Sequence, residues 1–224
     1  MTEVVIRNEK LLETLNGFVQ EFYELGGAKN EHFWLHNEPD QGEKYTGEEY
    51  LRECIERGKK GDLIGPPERH FAQPIKYMAR QEPDVWGPYQ QRVKYDFAAE
   101  IGAHTSALLC FYPPGGYVGW HTNWDANAYQ ILFTWSLDGN GYFRYYDQLK
   151  DEVVTIPDVP GWQCRHYYFG AKEETEHHCW HAAYNGSNRM TLAYKFVNGT
   201  KANIQKDRQA VYLRDMLIEE IETP

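Results

Sequence analysis

Leu11, Leu12, Leu15, Phe18, Val19 and Phe22 recur at intervals of three and four between Asn8 and Leu25. That is the period of one buried helix face, and Gly26-Gly27 supplies its stop. Thr46-Gly47-Glu48-Glu49 reads as a capping box, so a second helix is expected to run to about Lys59 and end before Gly61. Residues 61–90 are rich in proline and predict an irregular excursion, a candidate lid. From Ala107 the period changes to two. Short aromatic and β-branched runs at 107–112, 128–137, 142–146, 152–156, 162–169, 179–184 and 189–196 are punctuated by PPGG, DGNG, PDVPG and NGSN turns. After Asn198 the pattern turns helical again, with Ile204, Val211, Leu217 and Ile221 on one side. This order predicts an α+β fold in which N- and C-terminal helices buttress a jelly roll. One domain is expected over 1–224: a helical and irregular part at 1–106, a jelly-roll core at 107–198 and a C-terminal helix at 199–224.

Composition narrows the function classes. With 42% hydrophobic and 25% charged residues the 224-residue chain can build a real core, which excludes wholesale disorder. A net charge of −10 repels phosphate backbones and anionic lipid heads, against a nucleic-acid or membrane-surface protein. No run approaches a membrane span, and the acidic start MTEVVIRNEKLLETL lacks the apolar stretch of a signal peptide; a cytoplasmic protein is expected. Cys54, Cys110, Cys164 and Cys179 lie far apart and read as buried free thiols.

Two of the nine histidines sit where chemistry can use them. His121 closes the apolar, glycine-rich FYPPGGYVGWH, and His181 lies within CWHAAY. In a jelly roll, such distant strands can bring two imidazoles together across the mouth, to bind a metal and leave positions open. Arg189 and Thr191 alternate on one strand and so share a face. A planar guanidinium plus a hydroxyl suits a carboxylate, although a structural ion pair would equally explain an inward arginine. Tyr112 can add a phenol, or pack as a core aromatic. Trp120, Trp124, Trp135 and Trp180 are candidates for a dry aromatic wall. His177 and His178 compete with His181; His177 would share its strand face and His178 would point away, and both are read as rim residues. His166 reads as a structural strand residue.

Tyr112, His121, His181 and Arg189-x-Thr191, in that order and spacing, resemble the 2-oxoglutarate/Fe(II)-dependent oxygenases, a family with a double-stranded β-helix fold. The tyrosine spacing is most similar to the prolyl-hydroxylase-like branch, and the chain also resembles the oxygenases carried by marine phages. The resemblance covers roughly residues 107–197. It implies that His121 and His181 ligate Fe(II), and that 2-oxoglutarate chelates the metal while Arg189, Thr191 and Tyr112 hold its far carboxylate. It further implies dioxygen as co-substrate, ascorbate as a reductant, and hydroxylation of an unactivated C–H bond in a peptidyl side chain or a free small metabolite. A metal-binding, cupin-like ligand-binding module without redox activity is the alternative.

The chain departs from the family at one position. The family's first motif is His-x-Asp or His-x-Glu, and here His121-Thr122-Asn123-Trp124-Asp125 places an amide where the carboxylate belongs. Asp125 is the expected third ligand, being the only carboxylate within five residues of His121. Its reach requires a tight turn with no glycine to help. Asn123 or a water in that place, or loss of redox chemistry, are the other outcomes. The family's halogenases carry Gly or Ala there, which argues against halogenation.

Overall fold

A computed structural model describes residues 1–29, 39–196 and 208–224. Eight strands form its centre: β4 (Thr105–Tyr112), β5 (Tyr117–His121), β6 (Ala128–Ser136), β7 (Gly141–Asp147), β8 (Glu152–Pro157), β9 (Gly161–Phe169), β10 (His181–Asn185) and β11 (Arg189–Phe196). Three short strands join them: β1 (Thr2–Val4), β2 (His70–Phe71) and β3 (Gln73–Pro74). The larger sheet has the order β1-β9-β6-β11-β4-β3 and the smaller β2-β5-β10-β7-β8, every pair antiparallel. From β4 to β11 the chain passes back and forth between the sheets, which is the winding of a double-stranded β-helix. The α+β jelly roll expected from the sequence is therefore present.

Period-two alternation explains the layering. Met190, Leu192, Tyr194 and Phe196 of β11 and Ile131 and Phe133 of β6 face outward into the main core. There they meet helix α1 (Glu9–Glu24), capped by Asn8, whose Oδ1 accepts from Leu11 N–H at 3.0 Å. Leu15, Phe18, Val19 and Phe22 are its buried side, and Phe22 packs on Phe111 at 4.8 Å between ring centroids. Each such fully buried side chain contributes about 1.5–3 kcal/mol. Leu217 and Ile221 of the C-terminal helix α7 (Arg208–Glu222) close the same core. Ile204 and the Val211 side chain lie outside the described residues. All four cysteines are free and buried. No described helix is long and apolar enough to cross a membrane.

The N-terminal half differs from expectation in two places. Thr46 does not cap the helix at Glu48–Lys59 (α3); a short helix, α2 (Gly42–Tyr45), precedes it. The Thr46 hydroxyl instead donates to Gly42 O at 2.7 Å, and Gly47 is the N-cap. The proline-rich stretch is also not irregular throughout. It contains β2, β3 and the helices α4 (Ile75–Gln81) and α5 (Pro83–Gln91), with Pro83 at the helix start, where proline's missing N–H costs nothing. A π-helical turn, Arg92–Asp96, and the short α6 (Phe97–Glu100) lead into β4.

Candidate functional site

The inward faces of β4, β6, β10 and β11 enclose a cavity of about 290 Å³ between the sheets. His121, Asn123 and His181 line it, as do Tyr112, Arg189 and Thr191.

His121 and His181 are register partners in the β5–β10 pair, their ring centroids 4.0 Å apart. They stand side by side in one sheet, not across the mouth. His121 Nδ1 is 2.9 Å from Gly119 O, and His181 Nδ1 is 2.8 Å from Cys179 O. A carbonyl can only accept, so each Nδ1 carries the proton and each Nε2 keeps its lone pair. Backbone carbonyls orient metal-ligating histidines in this way. Gly119 permits the local approach: a Cβ there would lie 3.0 Å from Arg69 O and 3.3 Å from Tyr45 Cβ. Burial, reinforced by the neighbouring His181, holds the His121 pKa well below the usual imidazole value. Burial brings His181 down to about 4. Both rings are thus neutral at neutral pH. Phe143, which lines the cavity, stacks on His181 at 5.7 Å, and the buried Phe169 ring lies 5.0 Å from it.

The four tryptophans do not line this cavity. Trp120 and Trp180 are buried in a separate cluster with Leu51 and Cys54, Trp135 packs on the outer core, and Trp124 donates to Leu63 O at 3.2 Å. Neither His177 nor His178 is on a strand. Thr175–His177 is a 3₁₀ turn and β10 begins at His181. His178 faces the Ala171 and Lys172 carbonyls, while His177 meets the edge of Tyr168. His166 lies half-buried on β9. Of the candidate lid, Pro66, Pro67 and Lys76 reach the cavity.

The segment after His121 turns sharply without glycine. Asn123 adopts left-handed φ 57° and ψ 25°, a conformation asparagine tolerates, and a 3₁₀ turn, Trp124–Ala126, follows. Asn123 Nδ2 stands 3.3 Å from His181 Nε2. The side chain of Asp125 lies outside the described residues. Among the described residues no group of three His, Cys, Asp or Glu side chains could hold a metal ion.

Arg189 is fully buried and engaged on two sides. Its Nε donates to Asp158 Oδ2 at 2.8 Å and its Nη1 to Thr191 Oγ1 at 2.9 Å. The guanidinium carbon lies 5.2 Å from the Tyr112 ring centroid. Burial raises the Tyr112 pKa, keeping its hydroxyl protonated. The structural ion pair is therefore real, and it coexists with an arginine that faces the cavity. Asp158 is the residue sequence reasoning missed. It follows β8 in the PDVPG turn, and its Oδ1 accepts from Gln163 Nε2 at 3.0 Å.

No family model matches the chain, and no curated protein matches it. Among solved structures it is similar to a Pseudomonas putida prolyl-4-hydroxylase (13% identity, 81% of this chain and 98% of that one, TM-score 0.32). It is also similar to a viral collagen prolyl hydroxylase from Paramecium bursaria Chlorella virus-1 (11% identity, 67% and 91%, TM-score 0.32). A third is a rice dioxygenase for auxin oxidation (15% identity, 80% and 68%, TM-score 0.33). At such low identity and TM-score these likenesses assign no activity to the chain.

Proposed function

We propose that the protein is a non-haem Fe(II)/2-oxoglutarate-dependent oxygenase that hydroxylates an unactivated C–H bond, in a peptidyl side chain such as a prolyl residue. One observation carries this reading. A single cavity presents two neutral imidazoles, each held through Nδ1 by a backbone carbonyl, together with a buried arginine–threonine pair.

The residues fit the groups this function requires. Two Nε2 lone pairs in a low-dielectric pocket suit a divalent cation, and His121 and His181 would hold it. When bound, the iron supplies dioxygen activation coupled to decarboxylation of 2-oxoglutarate to succinate and CO2. The protein's share is orientation. Asp158 and Thr191 fix the plane of the Arg189 guanidinium, and its remaining N–H groups are available to a carboxylate. Tyr112 packs against that guanidinium, and its hydroxyl, kept protonated by burial, would donate to the same carboxylate. Phe143 and Phe169 keep water from the histidines.

A third protein ligand would come from the turn after His121, either Asn123 or Asp125, with a water in that place as the remaining outcome. Asn123 would ligate through its amide oxygen; its side chain already reaches the histidines, with Nδ2 3.3 Å from His181 Nε2, and that position favours Asn123. Asn123→Asp, which adds a formal charge beside the metal, is expected to tighten Fe(II) by about tenfold or more, and Asp125→Ala to change it little. Loss of iron in Asp125→Ala, measured by anaerobic titration, would assign the position to Asp125.

The activity test is succinate release from 2-oxoglutarate in the presence of Fe(II), ascorbate and air. Succinate in excess of a metal-free control supports the oxygenase. Stoichiometric metal with no succinate would overturn it in favour of a metal-binding module without redox chemistry.

A further inference from the structure

A second space, of about 460 Å³, opens beside the cavity and shares Pro66, Pro67, Lys76 and Leu108 with it. Its floor is β4, from Ser106 to Cys110. On this side β4 meets β3 only at Cys110 and Phe111, so Thr105–Leu109 have no partner strand there among the described residues. An open strand edge is a template for another chain, and most proteins cover or blunt it. Here it forms the floor of a groove that runs into the histidine cavity.

The charge of the groove is opposite to that of the whole molecule. In a chain of net charge −10, Lys76 from α4 and Lys94 from the π-helical turn line it, and no carboxylate does. Lys76 lies 4.9 Å from the Tyr77 ring and Lys94 4.8 Å from that of Tyr95; neither forms an ion pair among the described residues. A π-helical turn breaks regular helix geometry and recurs at functional sites; this one carries Lys94 to the groove.

We propose that this groove docks the substrate, an extended acidic peptide that adds a strand to the open edge of β4 and leads a residue into the adjoining cavity. Main-chain hydrogen bonds to Thr105–Leu109 would give affinity and register, and the two ammonium groups would select acidic side chains. The assignment of this peptide as substrate rests on the oxygenase reading; the docking itself does not.

The test measures binding to the iron-free protein by fluorescence anisotropy. The probes are a fluorescein-labelled decapeptide of alternating Glu and Val, its Lys–Val counterpart, and two Glu–Val versions N-methylated at alternate residues in one register or the other. Saturable, salt-sensitive binding of the Glu–Val peptide is expected, with the Lys–Val peptide at least about tenfold weaker. The double variant Lys76→Glu/Lys94→Glu, checked for an unchanged melting temperature, should lose about tenfold for Glu–Val and gain for Lys–Val. One N-methyl register should abolish binding and the other should not. Equal binding of the two charge types, indifference to the double reversal, or undiminished binding of both methylated peptides would overturn the proposal. So would full competition by millimolar free glutamate, which would make the occupant a small acid. Succinate release with no peptide binding would reject the groove alone; peptide binding with no succinate release would leave the docking standing and reject the oxygenase.

Discussion

Replacing either His121 or His181 by alanine is expected to abolish stoichiometric Fe(II) binding. Each ring lines the same cavity with its Nδ1–H held by a backbone carbonyl, which leaves one neutral Nε2 per ring for a metal. Losing one should therefore weaken metal binding by well over the roughly 10- to 100-fold typical of outer-sphere partners. The fold should survive. Each substitution strands one backbone carbonyl, at about 1–3 kcal/mol, which lowers the melting temperature of a chain this size by several degrees. His177→Ala, in the 3₁₀ turn and away from the cavity, should leave iron unchanged. Metal analysis after anaerobic loading, read beside a circular-dichroism melt, checks all three. One iron per chain in either cavity variant would remove the histidines from the metal site.

The second large effect belongs to the Arg189–Asp158 pair. Both residues are buried, so Arg189→Ala leaves the Asp158 carboxylate without its cation in a low-dielectric interior. That is expected to cost about 3–5 kcal/mol of stability. A poor affinity of this variant for 2-oxoglutarate would then confuse binding with unfolding. The informative protein is Arg189→Met/Asp158→Asn, which removes both charges at nearly constant volume. Its melting temperature should recover most of the loss, since a buried ion pair adds little over apolar packing of the same shape. Its affinity for 2-oxoglutarate should stay at least about tenfold below wild type, the scale of one charge-assisted carboxylate contact. Arg189→Lys should restore only part, because an ammonium lacks the fork. If the double variant bound 2-oxoglutarate as well as wild type, the co-substrate's carboxylate would lie elsewhere.

The period-two runs after Ala107 predict seven of the eight central strands closely, because an alternating pattern has only one way to bury its apolar side. The same rule corrects the tryptophans. Trp120 and Trp180 each precede a histidine, so if the histidines face inward those indoles face out. Asp158 gives no such signal. It sits among turn residues, and its partner Arg189 is a distant neighbour that only the sheet order brings near. Thr46 carries a genuine capping pattern, overridden because a preceding helical turn accepts its hydroxyl. Asn123 stands in the sequence as an amide in a carboxylate's place. Its left-handed backbone also supplies the tight turn for which no glycine is present. The two-residue strands β2 and β3, and with them the open edge of β4, are too short to leave a pattern.

If one cavity binds Fe(II) at its histidines and 2-oxoglutarate against Arg189, the two ligands must meet there. Visible absorption of the Fe(II)-loaded protein, titrated anaerobically with 2-oxoglutarate, reads that meeting. Chelation of ferrous iron by a 2-oxo acid produces a charge-transfer band, so a saturable band is expected in wild type. No band is expected in His181→Ala, and in Arg189→Met/Asp158→Asn the titration should shift to higher 2-oxoglutarate. Wild-type protein that holds iron and shows no band at saturating 2-oxoglutarate would contradict the shared cavity.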